Sequence, residues 1–87
     1  MSMDLIDIKF DVKEKMQHIH FVLASLEANY HRFSSSFYNQ VYKNSQECLR
    51  DSKIILRSLK KQPQQETKNK YQEYSRKYKN LFSAVFV

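Results

Sequence analysis

The sequence contains no glycine or tryptophan, and it has one proline and one cysteine in 87 residues. Without glycine, it cannot form the Gly-rich loops that bind nucleotide phosphates, and it lacks the residue that most β-hairpin turns prefer. A single cysteine cannot form an internal disulfide, so the chain does not require an oxidising compartment. These absences favour an all-helical protein.

Long apolar runs are also missing. No stretch approaches the ~18 apolar residues of a membrane span. The opening residues, 1–7, include Asp4 and Asp7, where a secretory signal peptide needs a basic segment followed by an apolar one. We therefore expect a soluble, cytoplasmic chain.

The length predicts one domain over residues 1–87. Hydrophobic residues make up 41% and charged residues 28%, which is typical of globular proteins. The net charge of +6 is uneven, with −1 in residues 1–49 and +7 in residues 50–87. A basic C-terminal half can attract nucleic acid, anionic lipid or an acidic protein.

Apolar residues at three-four spacing predict a first helix over about residues 4–33. Its stripe is Ile8, Val12, Met16, Ile19, Leu23, Leu26, Tyr30 and Phe33. The serine run 34–36 then favours a turn with an N-cap, because serine hydroxyls compete for backbone hydrogen bonds.

The second predicted helix covers about residues 36–61, and small side chains occupy the middle of its stripe. The stripe is Tyr38, Val41, Ser45, Cys48, Ser52, Ile55 and Leu59. Small residues allow either close approach of another helix or insertion of large aromatic side chains. Lys60 and Lys61 followed by Pro63 are typical of a helix end.

The third predicted helix covers about residues 64–85. Its apolar stripe contains large aromatic side chains, whereas the middle of the second helix's stripe contains small ones. Its stripe is Thr67, Tyr71, Tyr74, Tyr78, Leu81 and Val85. Short connections then favour an all-α, antiparallel up-down-up three-helix bundle. The expected core comprises Val12, Met16, Ile19, Leu23, Leu26, Tyr30, Cys48, Ile55, Leu59, Tyr71, Tyr74, Tyr78 and Leu81.

No catalytic or metal-binding pattern stands out. His18 and His20 are two apart on a helix and point in different directions, and His31 is distant, so we interpret them as surface or boundary residues. Cys48 lies on the core stripe, where a free cysteine behaves as a small hydrophobe. We therefore expect a non-enzymatic protein without a cofactor or metal.

The helices resemble a known family in their residue patterns. Residues 66–82, with Thr67 and the run Ser75-Arg76-Lys77-Tyr78, resemble the third helix of the syntaxin N-terminal (Habc) bundle. Residues 7–12 and 23–26 are similar to the opening helix of endosomal and trans-Golgi syntaxins, and residues 54–60 to the end of the second helix. The resemblance spans nearly the whole chain.

The resemblance implies a regulatory domain that acts in SNARE-mediated vesicle trafficking, at the cytosolic face of endomembranes. It implies a partner helix, from a SNARE motif or a Sec1-type regulator, that binds in a groove between two helices. We place that groove at the small middle of helix two. The predicted partner-binding residues are Ser45, Cys48, Ser52, Ile55, Arg50, Lys53 and Arg57.

The chain departs from the family in its short first linker and in lacking a SNARE motif and a membrane anchor. Two alternatives remain open. One is a small secreted WXG100-like hairpin that pairs with a partner, although the sequence has neither the Trp nor the Gly of its turn. The other is a basic protein that binds nucleic acid or anionic lipid, with an affinity that falls steeply with salt. Tyrosines on the core stripe are unavailable for base stacking, which disfavours nucleic acid.

Overall fold

The computed structural model describes residues 4–61 and 64–86, the last three by their backbone only. It contains three α-helices, α1 (Leu5–Ala28), α2 (Ser35–Lys61) and α3 (Gln64–Phe86), and a short 3-10 helix, Tyr30–Arg32, between the first two. Within these residues there is no β-strand. The predicted all-α three-helix bundle is confirmed.

Side chains cap the starts of α1 and α2. The Asp4 carboxylate accepts hydrogen bonds from the backbone N–H groups of Ile6, at 2.7 Å, and Asp7, at 3.2 Å. The Ser34 hydroxyl accepts from the Phe37 N–H at 3.1 Å. These bonds satisfy donors that have no partner inside a helix. The N-cap predicted in the serine run is thus confirmed at Ser34, but the turn lies before it, because Ser35 and Ser36 already belong to α2. Pro63 lies outside the described residues.

Helix α1 ends five residues earlier than predicted. Asn29 adopts a non-helical conformation, and its side-chain amide donates to the Ser25 carbonyl oxygen at 2.9 Å. The Asn29 backbone N–H donates to the same carbonyl oxygen at 3.1 Å, so the side chain adds a second bond at the helix end. The chain then turns, and Tyr30 is 65% exposed. Its assignment to the core was therefore wrong, as was the extension of the helical stripe to Phe33, which is also exposed.

The helices run up, down and up. The start of α1 lies beside the end of α2, and the end of α1 lies beside the start of α2. Contacts from Ser52 to Tyr74 and from Asp51 to Lys77 place α3 antiparallel to α2. The resulting bundle measures 44 × 21 × 17 Å.

The core runs along the centre of the bundle. Its buried members are Ile8, Val12, Ile19, Val22, Leu26, Val41, Cys48, Leu49, Ile55, Tyr74 and Leu81. Five residues of the expected core are half-buried and pack around these: Met16, Leu23, Leu59, Tyr71 and Tyr78. Val22, which was not predicted, is buried more completely than the adjacent Leu23. The Val85 side chain lies outside the described part of the chain.

Candidate functional site

Four of the seven predicted partner-binding residues lie inside the bundle. Ser45, Cys48, Ser52 and Ile55 are all buried between the helices. The ring of Tyr74, from α3, is buried with them, and its hydroxyl reaches Ser52. At Ser52 the structure shows the aromatic insertion that the sequence allowed for small residues in α2. A partner cannot contact these four side chains while the bundle is closed.

The contact between Ser52 and Tyr74 is a buried hydrogen-bond chain. The Ser52 hydroxyl lies 2.8 Å from the Cys48 carbonyl oxygen and 2.8 Å from the Tyr74 hydroxyl. Since a carbonyl oxygen can only accept, Ser52 donates to it, and the Tyr74 hydroxyl donates to Ser52. Burial raises the pKa of Tyr74, so the phenol stays protonated and keeps this donor role.

Cys48 is not a reactive thiol. Burial, and to a smaller extent the nearby Asp51 carboxylate, raises the pKa of Cys48 to about 11. Because the thiolate is the nucleophilic form, a thiol with this pKa is inert at neutral pH. The position therefore serves packing.

We expect alkaline pH to destabilise the bundle. The pKa of Cys48 rises from 9.0 to about 11 on folding. Burial and the hydrogen bond to Asp11 raise the pKa of Tyr71 from 10.0 to about 12. Between about pH 9 and pH 12 the unfolded chain therefore binds fewer protons than the folded one, and rising pH favours unfolding. Urea denaturation followed by circular dichroism at a series of pH values measures this loss.

A Cys48→Ala/Tyr71→Phe double variant provides the control. It should show a flatter but not a flat decline over the same pH range, because two groups whose pKa values rise on folding are gone while Tyr74 and Tyr78, whose pKa values burial also raises, remain. A wild-type chain whose stability stays constant up to pH 11 would contradict the expected shifts.

The other three predicted residues, Arg50, Lys53 and Arg57, are exposed on the outward face of α2. Arg57 also lines a groove between the start of α1 and the end of α2, with a volume of about 510 Å³. We call it the α1–α2 groove. Its lining residues are Leu5, Ile6, Lys9, Lys13, Leu56, Arg57, Leu59 and Lys60.

The α1–α2 groove combines an apolar floor with charged walls. Leu5, Leu56 and Leu59 are half-buried within it, and Ile6 at its edge is 64% exposed. Every charged side chain in its lining is basic. Within residues 4–61 and 64–86, none of these four cations takes part in an ion pair. The groove is therefore an accessible apolar surface surrounded by positive charge.

Sequence reasoning found only Arg57 among the residues of this groove. A partial signal was present in α1, where Ile6, which lines the groove, and Phe10, which does not, are four residues apart and lie off the buried stripe. Both are more than 60% exposed. Apolar residues at helical spacing on an outward face indicate a contact surface.

Two tyrosines of α3, Tyr71 and Tyr78, contact α1. Tyr71 donates a hydrogen bond to the Asp11 carboxylate. Tyr78 contacts His18, with 2.8 Å between its hydroxyl and the imidazole Nδ1, and the Lys15 ammonium lies 5.0 Å from its ring centre. These contacts join the two parallel helices, so Tyr71 and Tyr78 are not free to stack on bases.

In the described part of the chain, no three His, Cys, Asp or Glu residues are close enough to bind a metal. No helix among the described residues is long and apolar enough to cross a membrane. Comparison with protein-family models, curated proteins and solved structures finds no match.

Proposed function

We propose that this chain is a non-enzymatic protein-binding module that receives an amphipathic helix of a partner in the α1–α2 groove. The observation that carries the proposal is the groove itself, which combines three half-buried leucines with exposed residues from both α1 and α2. An apolar helix face fits such a groove through side chains spaced three and four apart.

The setting that we propose is SNARE-mediated vesicle trafficking, with the chain acting as a syntaxin-like N-terminal regulatory domain at the cytosolic face of endomembranes. The resemblance of residues 7–12, 23–26, 54–60 and 66–82 to the Habc helices supports this setting. The partner is then a SNARE-motif helix or a Sec1-type regulator. A WXG100-like hairpin is less well supported, because the described residues form three helices.

Titration of a panel of SNARE-motif peptides and a Sec1-type regulator into the protein tests this proposal. We expect saturable one-to-one binding that weakens by about tenfold in an Ile6→Ser variant, because a side chain at the edge of the groove loses its apolar contact. Calorimetry measures the affinity directly.

Phe21→Ser is the matched control for Ile6→Ser. Phe21 lies on the same helix and is 64% exposed, as is Ile6, but it does not line the groove. Equal losses in the two variants would show that the groove is not the binding site. Failure of every SNARE-related partner to bind would exclude the trafficking setting.

A further inference from the structure

The walls of the α1–α2 groove carry the same sign of charge on both sides. Lys9 and Lys13 project from α1, four residues apart, and Arg57 and Lys60 project from α2, three residues apart. Residues at these spacings are neighbours on a helix surface, with about 5–6 Å between their Cβ atoms. Each wall therefore presents a pair of adjacent cations beside the apolar floor.

The charges on the two walls restrict what can occupy the groove. A helix that places apolar residues on Leu5, Leu56 and Leu59 brings the edges of its apolar stripe next to the walls. Basic residues at those edges would face like charges at short range, which disfavours binding. Acidic residues at the same edges would face opposite charges on both sides.

The shape of the groove favours a helix over a lipid surface. The three leucines of the floor are half-buried, whereas the other five residues that line the groove are exposed. A bilayer is flat on this scale and contacts projecting side chains first, whereas a helix can enter a groove.

We infer that the occupant of the α1–α2 groove is an acidic amphipathic helix, with Asp or Glu on both edges of its apolar stripe. This inference rests on the proposed function and adds the chemistry of the partner. The α1 side of the groove spans residues 5–13, or about 12 Å of helix at 1.5 Å per residue, so the contact covers two to three turns of the partner. Carboxylates at i and i+4 on the partner match the spacing of Lys9 and Lys13.

The charges on the walls mainly affect which partner binds and how fast it associates. Opposite potentials on two surfaces steer their encounter and exclude partners of the wrong sign, while the apolar contact supplies most of the affinity. Because the cations are exposed to solvent, salt screens their effect within a Debye length of about 8–10 Å. Binding is therefore expected to weaken as salt rises, but not to disappear.

Stapled helical peptides of about 18 residues, long enough to remain helical when stapled, test this inference. Three peptides share one leucine stripe at three-four spacing and differ only at its two edges, which carry Glu, Gln or Lys. Fluorescence anisotropy measures their affinities at low and at high salt. We expect the Glu peptide to bind at least about tenfold more tightly than the Gln peptide, and the Lys peptide to bind least.

Two variants with equal changes of charge locate the effect. Lys9→Glu/Lys60→Glu reverses one cation on each wall, whereas Arg76→Glu/Lys79→Glu reverses two exposed cations on α3 that do not line the groove. The first variant should lose about tenfold or more in affinity for the Glu peptide, and the second much less, because only screened long-range attraction is reduced. All four side chains are exposed, and thermal melting verifies that both variants fold.

The outcomes separate the inference from the proposed function. If the Glu and Gln peptides bound equally well, and Lys9→Glu/Lys60→Glu did not change their affinity, the inference of an acidic partner would be wrong. The proposal of a helix-binding groove would still hold. Failure of all three peptides would overturn both. Vesicles of phosphatidylserine and phosphatidylcholine complete the test, since vesicle binding without peptide binding would identify an anionic lipid surface as the ligand.

Discussion

A Tyr74→Ala variant should lose about 3–5 kcal/mol in free energy of unfolding, the usual cost of truncating a large buried aromatic side chain. Tyr74 is the largest fully buried side chain in the described part of the bundle. It fills the space above the small residues of α2, and its loss leaves a cavity between α2 and α3. A small domain is stable by about 5–15 kcal/mol, so this change removes a large part of the total. Urea denaturation followed by circular dichroism measures it.

Tyr74→Phe is the control that separates the ring from its hydroxyl. Phenylalanine keeps the volume but removes the donor to Ser52, while Ser52 retains its bond to the Cys48 carbonyl oxygen. The expected loss is about 1 kcal/mol, the typical net contribution of one hydrogen bond. If the alanine variant were no less stable than the phenylalanine variant, Tyr74 would not be a core residue.

The second and third helices were predictable because their side-chain sizes are complementary. The stripe of α2 has the small residues Ser45, Cys48 and Ser52, and the stripe of α3 has tyrosines. Both the spacing and the size of these side chains can be taken directly from the sequence. The serine run also indicated the start of α2, because a serine can cap the helix that follows it and Ser34 does so. What the pattern could not decide was whether the small residues face an open groove or a neighbouring ring.

The end of α1 was harder to predict, since its apolar spacing continues through Tyr30 and Phe33. Asn29 leaves the helical conformation while its backbone N–H and its side-chain amide both donate to the Ser25 carbonyl oxygen. The apolar spacing contains no signal for this local arrangement. The two aromatic residues then lie outside the core, on the surface near the turn. Periodicity indicates which residues share a face, but not how far the helix continues.

The α1–α2 groove could not be read from the sequence because it depends on two segments far apart in the chain. Residues 5–13 and 56–60 come together only when α1 and α2 pack antiparallel. Lys9 and Lys13 belong to the N-terminal half, which has a net charge of −1, and Arg57 and Lys60 belong to the basic C-terminal half. The sequence alone does not indicate that these four cations lie close together. The fold therefore creates the charge pattern from which we infer an acidic partner.

Ser52→Leu distinguishes the two interpretations of the small residues in α2. In the bundle, Ser52 is fully buried 2.8 Å from the Tyr74 hydroxyl, so a leucine has no room and leaves that hydroxyl without its acceptor. Overpacking costs about 1–3 kcal/mol and an unpaired buried hydroxyl about 1–3 kcal/mol, so we expect a loss of about 3 kcal/mol or more. Urea denaturation measures this loss.

Ser83→Leu is the matched control for this substitution, because Ser83 is exposed on α3 and the same change there should alter stability by less than about 0.5 kcal/mol. The two interpretations differ in their expected results. If Ser52 lined an open docking surface, leucine would be tolerated as well as at position 83, and it would change partner affinity without changing the unfolding midpoint. If Ser52 instead receives the Tyr74 ring, the midpoint must fall and the affinity of the α1–α2 groove must stay the same in the molecules that remain folded. Measuring stability and peptide affinity on the same variant therefore assigns the small residues of α2 to closing the bundle or to binding a partner.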